Sequence, residues 1–278
     1  MSNQPSVVVG VSGPTLNDPA IEWALSYAQS LNAEVELVHI VDMSWRSTPA
    51  TFAEAALLAA ERELRDIATQ RAARTGLPVH ATVLVGHPTR LLVEHAASAA
   101  MLVLGTRRKE NLGQLLFNTR ATRVASKAGV STVVVPNTVV PGKGIVVGVD
   151  GSELSAAPLA FAAREADRTG EPLRVIYSWY APRPWTDGQF DGWPAEPEDE
   201  ARRILAEATA GLAQTYPDLK VQAEVAFGRA ASTLFSASEG ATMLVVGSHG
   251  RQGFEKAWLG STSEELILAM PTTVAIIR

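Results

Sequence analysis

The sequence predicts an α/β protein: two tandem doubly wound domains, each an open five-stranded parallel sheet (order 3-2-1-4-5) with helices on both faces. Three observations predict it. The chain repeats itself, its strands are continuous apolar runs, and those runs alternate with amphipathic Ala-rich segments.

SVVVGVSG (6–13) resembles GIVVGVDG (144–151), with Gly10 matching Gly148 at offset 138. MLVLGT (101–106) resembles MLVVGS (243–248) at offset 142, and STVVVP (131–136) resembles TTVAII (272–277) at offset 141. Order and spacing are both kept, which chance likeness between apolar strands would not do. PNTVVPGKG (136–144) breaks the periodicity with two prolines and two glycines, so the domains are set at 1–138 and 143–278.

In the second half, strands are expected at about 144–149, 172–178, 220–226, 242–247 and 272–277. Runs such as IVVGV suit strands buried on both faces of a parallel sheet. ELSAAPLAFAAREADR, EDEARRILAEATAGLAQ, RAASTLFSASE and STSEELILAM supply the intervening helices. Right-handed crossovers then give a doubly wound layer, whose strand order reverses between strands 1 and 4. That reversal opens a crevice at their C-terminal ends, where strand 1 runs into Asp150 and strand 4 into Gly247-Ser248-His249-Gly250.

Composition narrows the function. The 278 residues are 46% hydrophobic and 19% charged, an ordinary globular balance long enough for about two domains. The net charge of −5 makes a nucleic-acid surface an unlikely expectation and sits mainly in the second half: residues 1–142 carry 12 Lys+Arg against 11 Asp+Glu, the remainder 12 against 18. The absence of cysteine excludes disulfides, thiolate metal sites and cysteine nucleophiles. No long apolar run or leader pattern is visible, so the expectation is a cytoplasmic protein without membrane or nucleic-acid partners. Walker, dinucleotide, zincin and nucleophile-elbow motifs are missing, and His39, His80, His87, His95 and His249 lack metal-ligand spacing, so neither a catalytic nor a metal site is assigned.

GSHGRQGFEKAWLGST (247–262) holds the remaining signal. Glycine at 247 and 250 is expected to turn the chain with positive φ and to leave the backbone open to a ligand. Successive N–H groups there can form an anion nest, and a helix opening at Ser261 adds free N–H groups. Ser261 and Glu264 fit a capping box, Ser261 at N-cap. Arg251 supplies a cation at the rim, and Asp150 an acceptor for a ribose or base edge. The plainer alternatives are a flexible glycine loop, an ordinary cap at Ser261, and a turn at Asp150-Gly151-Ser152. His249 is a loop or ligand-contact residue rather than a catalytic one. Phe254 and Trp258 read as core cover, and Trp185, Phe190 and Trp193 as part of a long acidic loop.

Gly247-x2-Gly250-x9-Gly260-Ser261, with VVGVDGSELSAA (146–157) upstream, resembles the signature of the universal stress protein family in its ATP-binding branch. The resemblance covers nearly the whole chain twice. It implies ATP, with Mg²⁺, and pairing of the halves through their last strands as an internal pseudo-dimer. A homodimer and a protein partner of unknown identity are further expectations. The family pattern places adenosine at Asp150 and near Ser178, beside Gly148. It places the phosphates on Gly247, Gly250, Arg251, Gly260 and Ser261, with Gly253 and Thr262 nearby, and His249 is counted among the nucleotide-binding residues. It also implies a regulatory binding protein of stress response, dormancy or growth control with little or no turnover. An ATPase or adenylyl-transferring enzyme, or a scaffold with vestigial sites, is the alternative.

The first half departs from that pattern. Gly10 and Gly105 are kept, but Ser12 stands for Asp150, Ile40 for Ser178, Arg108 for the second loop glycine, and Asn118-Thr119 for Gly260-Ser261. Arg107, Arg108 and Lys109 form a basic patch. The readings are a dead site, a weak ATP site, or a site altered for another phosphorylated ligand; the substitutions favour weak or altered, with a plain solvated basic loop as an equal alternative.

Overall fold

The computed structural model describes residues 4–11, 18–42, 50–106, 119–138, 141–180, 197–250 and 259–278. The first half runs β1 (Ser6–Val11), α1 (Pro19–Leu31), β2 (Glu34–Val41), α2 (Ala50–Thr75), β3 (Val79–Val85), α3 (Pro88–His95), β4 (Met101–Thr106), α4 (Thr119–Lys127) and β5 (Thr132–Pro136). The second runs β6 (Ile145–Val149), α5 (Ala156–Thr169), β7 (Leu173–Trp179), α6 (Pro197–Thr209), α7 (Leu212–Thr215), β8 (Val221–Phe227), α8 (Ala230–Ala237), β9 (Met243–Gly247), α9 (Ser261–Ala269) and β10 (Thr273–Ile277). Short 3-10 turns at Ala96–Ser98 and Glu153–Ser155 complete the list. The five expected strands of the second half fall within one residue of those observed at each end.

Alternate residues of each strand feed opposite cores, which is why the strands read as unbroken apolar runs. Val7, Val9 and Val11 join one core with α1, α2, α5 and α6. Val8 joins the other with α3, α4, α8 and α9. Both cores draw residues from both halves.

Each half has the order 3-2-1-4-5, with every pair parallel. The two five-stranded sheets join through their last strands, as the resemblance implied. β5 and β10 pair antiparallel, Val134 opposite Val274 and Val133 opposite Ala275, so the halves fuse into one ten-stranded sheet. The fusion covers an apolar edge strand on each side that would otherwise invite foreign pairing. Tyr27 of α1 meets Phe161 of α5 across the seam at 5.9 Å between centroids, and Arg168 donates to Ser26 Oγ. Arg278 donates to the Ala125 carbonyl at the end of α4. Among the described residues no helix is long and apolar enough to cross a membrane.

Candidate functional site

The cleft arises from register. In the second half the β6–β9 ladder stops at Val147 opposite Val245. The flanking ladders run farther, to Val149 opposite Tyr177 and to Ile277 opposite Gly247. The two middle strands therefore separate before they end, at the point where strand order reverses. A cavity of ≈ 470 Å³ opens there. Its floor is Gly148, Ile176, Leu234 and Val246, and its polar rim includes Asp150, Ser178, His249, Gly250 and Gly260 to Ser263.

Gly148 is required by close approach: a Cβ there would lie 2.6 Å from Leu234 Cδ1. Gly10 meets Leu92 in the same way, at 2.7 Å, so the duplicated glycine serves duplicated packing of α3 and α8 on the sheet.

Asp150 is held rigidly. Its Oδ1 accepts from Ser152 N at 3.0 Å, Ser152 Oγ at 2.6 Å and Ser155 Oγ at 2.5 Å. Its own N–H donates to Ser155 Oγ. Its other oxygen faces Gly250, where a Cβ would stand 2.8 Å away. This contact corrects the expectation about the loop glycines. Gly247 and Gly250 are not among the positive-φ residues; Gly151, at φ +76°, is. Gly250 is needed because a carboxylate from the other side of the crevice packs against its Cα.

The capping box is also corrected. Gly260, at φ −62° and ψ 149°, is the N-cap of α9, Ser261 is the first helical residue, and no side chain caps the helix. Glu264 N–H donates to the Gly260 carbonyl, which places Glu264 one residue past the capping-box position. The extended Gly260 backbone, anchored by its N–H to the Ser248 carbonyl at 2.8 Å, starts the helix one residue early. The start of α9 is thus left to backbone N–H groups, with Ser261 and Thr262 lining the cavity. Such a start favours an anion.

Ser178 lines the cavity with its hydroxyl donated to the Gly228 carbonyl at 2.7 Å. His249 Nδ1 lies 2.9 Å from Ser248 Oγ, while Nε2 is buried and, among the described residues, has no hydrogen-bond partner. A buried ring nitrogen left unmatched is costly. Asp150 is the one carboxylate among the described lining residues, and among the described residues no His, Asp and Glu cluster is placed to hold a metal.

The sequence did not single out Ser155 or Ser263. Ser155 fixes Asp150, and Ser263 Oγ donates to the Gly247 carbonyl at 2.7 Å, tying α9 to β9. The D-G-S-x-x-S run (150–155) was a visible signal for the former; Ser263 had none, since its partner is 16 residues away. Arg251, Gly253, Phe254 and Trp258 lie outside the described residues, as do Trp185, Phe190 and Trp193.

The first half has an equivalent but different cleft. Its β1–β4 ladder runs one rung farther, to Gly10 opposite Leu104. The cavity is ≈ 120 Å³, lined in part by Gly10, Ile40, Leu92, Leu104, Gly105 and Arg120. Thr119 begins α4. Ser12, Arg107, Arg108, Lys109 and Asn118 lie outside the described residues.

Comparison with known proteins agrees with the fold and the duplication. The universal stress protein family pattern matches residues 5–136 and again 143–278. A universal stress protein of Mycolicibacterium smegmatis is 30% identical over 98% of this chain and 96% of its own length. One from Mycobacterium tuberculosis H37Rv is 30% identical over 99% of this chain and 97% of its own. A solved universal stress protein from Archaeoglobus fulgidus superposes with a TM-score of 0.71 at 17% identity, covering 100% of this chain and 99% of that one. The chain belongs to the universal stress protein family, in its tandem two-domain form.

Proposed function

We propose that the second half binds an adenine nucleotide, ATP with Mg²⁺, and that the protein is a regulatory binding module with little or no turnover. The observation that carries this reading is the ≈ 470 Å³ cavity at the strand-order switch, with an apolar floor and a preorganised polar rim. The base would lie over Ile176 and Leu234. Asp150, fixed by Ser152 and Ser155, would accept from the ribose. The phosphates would reach the 247–250 backbone and the α9 start, with His249, Arg251, Gly253 and Thr262 completing the set. Mg²⁺ would neutralise phosphate charge and be held mainly by the phosphates, since Asp150 is already committed. A partner would read the nucleotide-bound state in stress response, dormancy or growth control.

ATP added to the full chain should raise its melting temperature. At 100 times the dissociation constant the gain is about 2.7 kcal/mol. No shift up to millimolar ATP would overturn the reading. The alternative, slow hydrolysis with His249 as base, draws on the buried Nε2. It requires phosphate release above background that is lost in His249→Ala.

A further inference from the structure

Ser178 lines the second-half cavity with a hydroxyl whose proton is already committed. Resting on the nucleotide reading above, we propose that Ser178 is the specificity-determining residue for the base. Its hydroxyl accepts a hydrogen bond from an exocyclic amino group, and so selects a purine with an amino group on its six-membered ring over one with a carbonyl there.

The sheet sets the layout. β9, β6 and β7 lie side by side in that order. The elements for the phosphates, Gly247 and the start of α9, follow β9, and Asp150, for the ribose, follows β6. The base is then left to β7 and α8, over Ile176 and Leu234. A purine joins its sugar through the five-membered ring. The edge that reaches farthest along this line is therefore that of the six-membered ring, with its exocyclic substituent. Ser178 stands at that end, two residues beyond Ile176 on the same face of β7.

The hydroxyl is left to accept. It has one proton and two lone pairs. The proton goes to the Gly228 carbonyl at 2.7 Å, because a carbonyl cannot donate. Thr233 Oγ1 lies 3.5 Å away, a long contact that occupies one lone pair at most. The other is open to a donor in the cavity. An amino group supplies that donor. A ring carbonyl sets acceptor against acceptor and leaves both unmatched.

The fold does not need this hydroxyl. In the first half Ile40 stands opposite Leu84, on the rung where Ser178 stands opposite Ala226. Yet the turn that follows is the same, with Gly86 at φ +145° and Gly228 at φ +146°. Gly86 N–H donates to the Val41 carbonyl at 3.0 Å, and Gly228 N–H to the Trp179 carbonyl at 2.9 Å. A turn that closes beside isoleucine does not depend on serine. The hydroxyl is an addition particular to the second half.

Titration calorimetry of the full chain tests this, with ATP and with inosine triphosphate, which carries a ring carbonyl in place of the amino group. ATP should bind the unaltered chain roughly tenfold more tightly, the worth of one matched hydrogen bond against one unmatched acceptor. Ser178→Ala should bring the two affinities within about twofold of each other, chiefly by weakening ATP. Ser178→Thr, which keeps the hydroxyl, should keep the preference. Equal affinity of the unaltered chain for the two nucleotides would overturn the proposal. So would a folded Ser178→Ala chain that keeps the full preference, or one that loses both nucleotides equally, as a purely structural role would give. An unaltered chain that binds neither nucleotide would instead refute the nucleotide reading, and this proposal with it.

Discussion

Asp150 and Gly250 lie 100 positions apart, yet each explains the other. The sequence shows that a glycine stands at 250, but not that a carboxylate fixed by Ser152 and Ser155 presses against it. Local reasoning therefore found the residue, but one of the two causes it assigned, a positive φ, is not what the structure shows. Two outcomes follow. Gly250→Ala should place a methyl 2.8 Å from the Asp150 oxygen and weaken ATP binding by roughly tenfold or more, with stability changed by less than about 1 kcal/mol at this exposed loop. Calorimetric titration alongside urea unfolding checks both parts. Ser155→Ala should cost about 1 kcal/mol, since it removes a buried hydroxyl that both donates to and accepts from Asp150, and should weaken ATP as well. Equal ATP affinity in wild type and Ser155→Ala would detach Asp150 from the site.

The strands were legible because double-sided burial writes itself as unbroken apolar runs such as IVVGV and MLVVG. Helix ends were less legible. S-x-x-E at 261–264 has the form of a capping box, but the Gly260 N–H bond to Ser248 moves the boundary by one residue. That bond joins residues 12 apart, so a four-residue pattern has no access to it. The difference has an energetic consequence. Ser261→Ala should change stability by only a few tenths of a kcal/mol, because Ser261 is not the cap. Asp18→Ala should cost about 1 kcal/mol, because Asp18 does cap α1 through Ala20 N–H. Urea midpoints of the two variants separate these roles, and a costly Ser261→Ala would contradict the assignment of Gly260 as N-cap.

For the molecule as a whole, the duplication was plain in the sequence, and the pairing of the halves through their last strands was expected only through the family resemblance, without its antiparallel direction. No spacing rule shows which edges of two similar sheets will meet. Because both cores mix residues from both halves, unfolding should be a single transition, with calorimetry and far-UV circular dichroism coincident. Two separated transitions would mean that the seam is weaker than its packing implies. The seam also carries a pH dependence. Burial pushes the Tyr27 hydroxyl up from its ordinary value, Glu165 adds to the rise, and Arg164 and Arg168 oppose it. A raised folded pKa favours the protonated fold, so this contribution is present below about pH 10 and is lost as pH rises through the folded value. Tyr27→Phe should flatten the alkaline fall in urea midpoint above about pH 10, the ordinary tyrosine value.

The asymmetry between the two clefts is the central claim, since one sheet carries two cavities at the same topological position with different described linings. Equilibrium dialysis of the full chain against labelled ATP tests it most directly, with Gly250→Arg run in parallel. One ATP bound per chain, lost in Gly250→Arg, is the expected result. Two ATP per chain, or one that persists in Gly250→Arg, would contradict it.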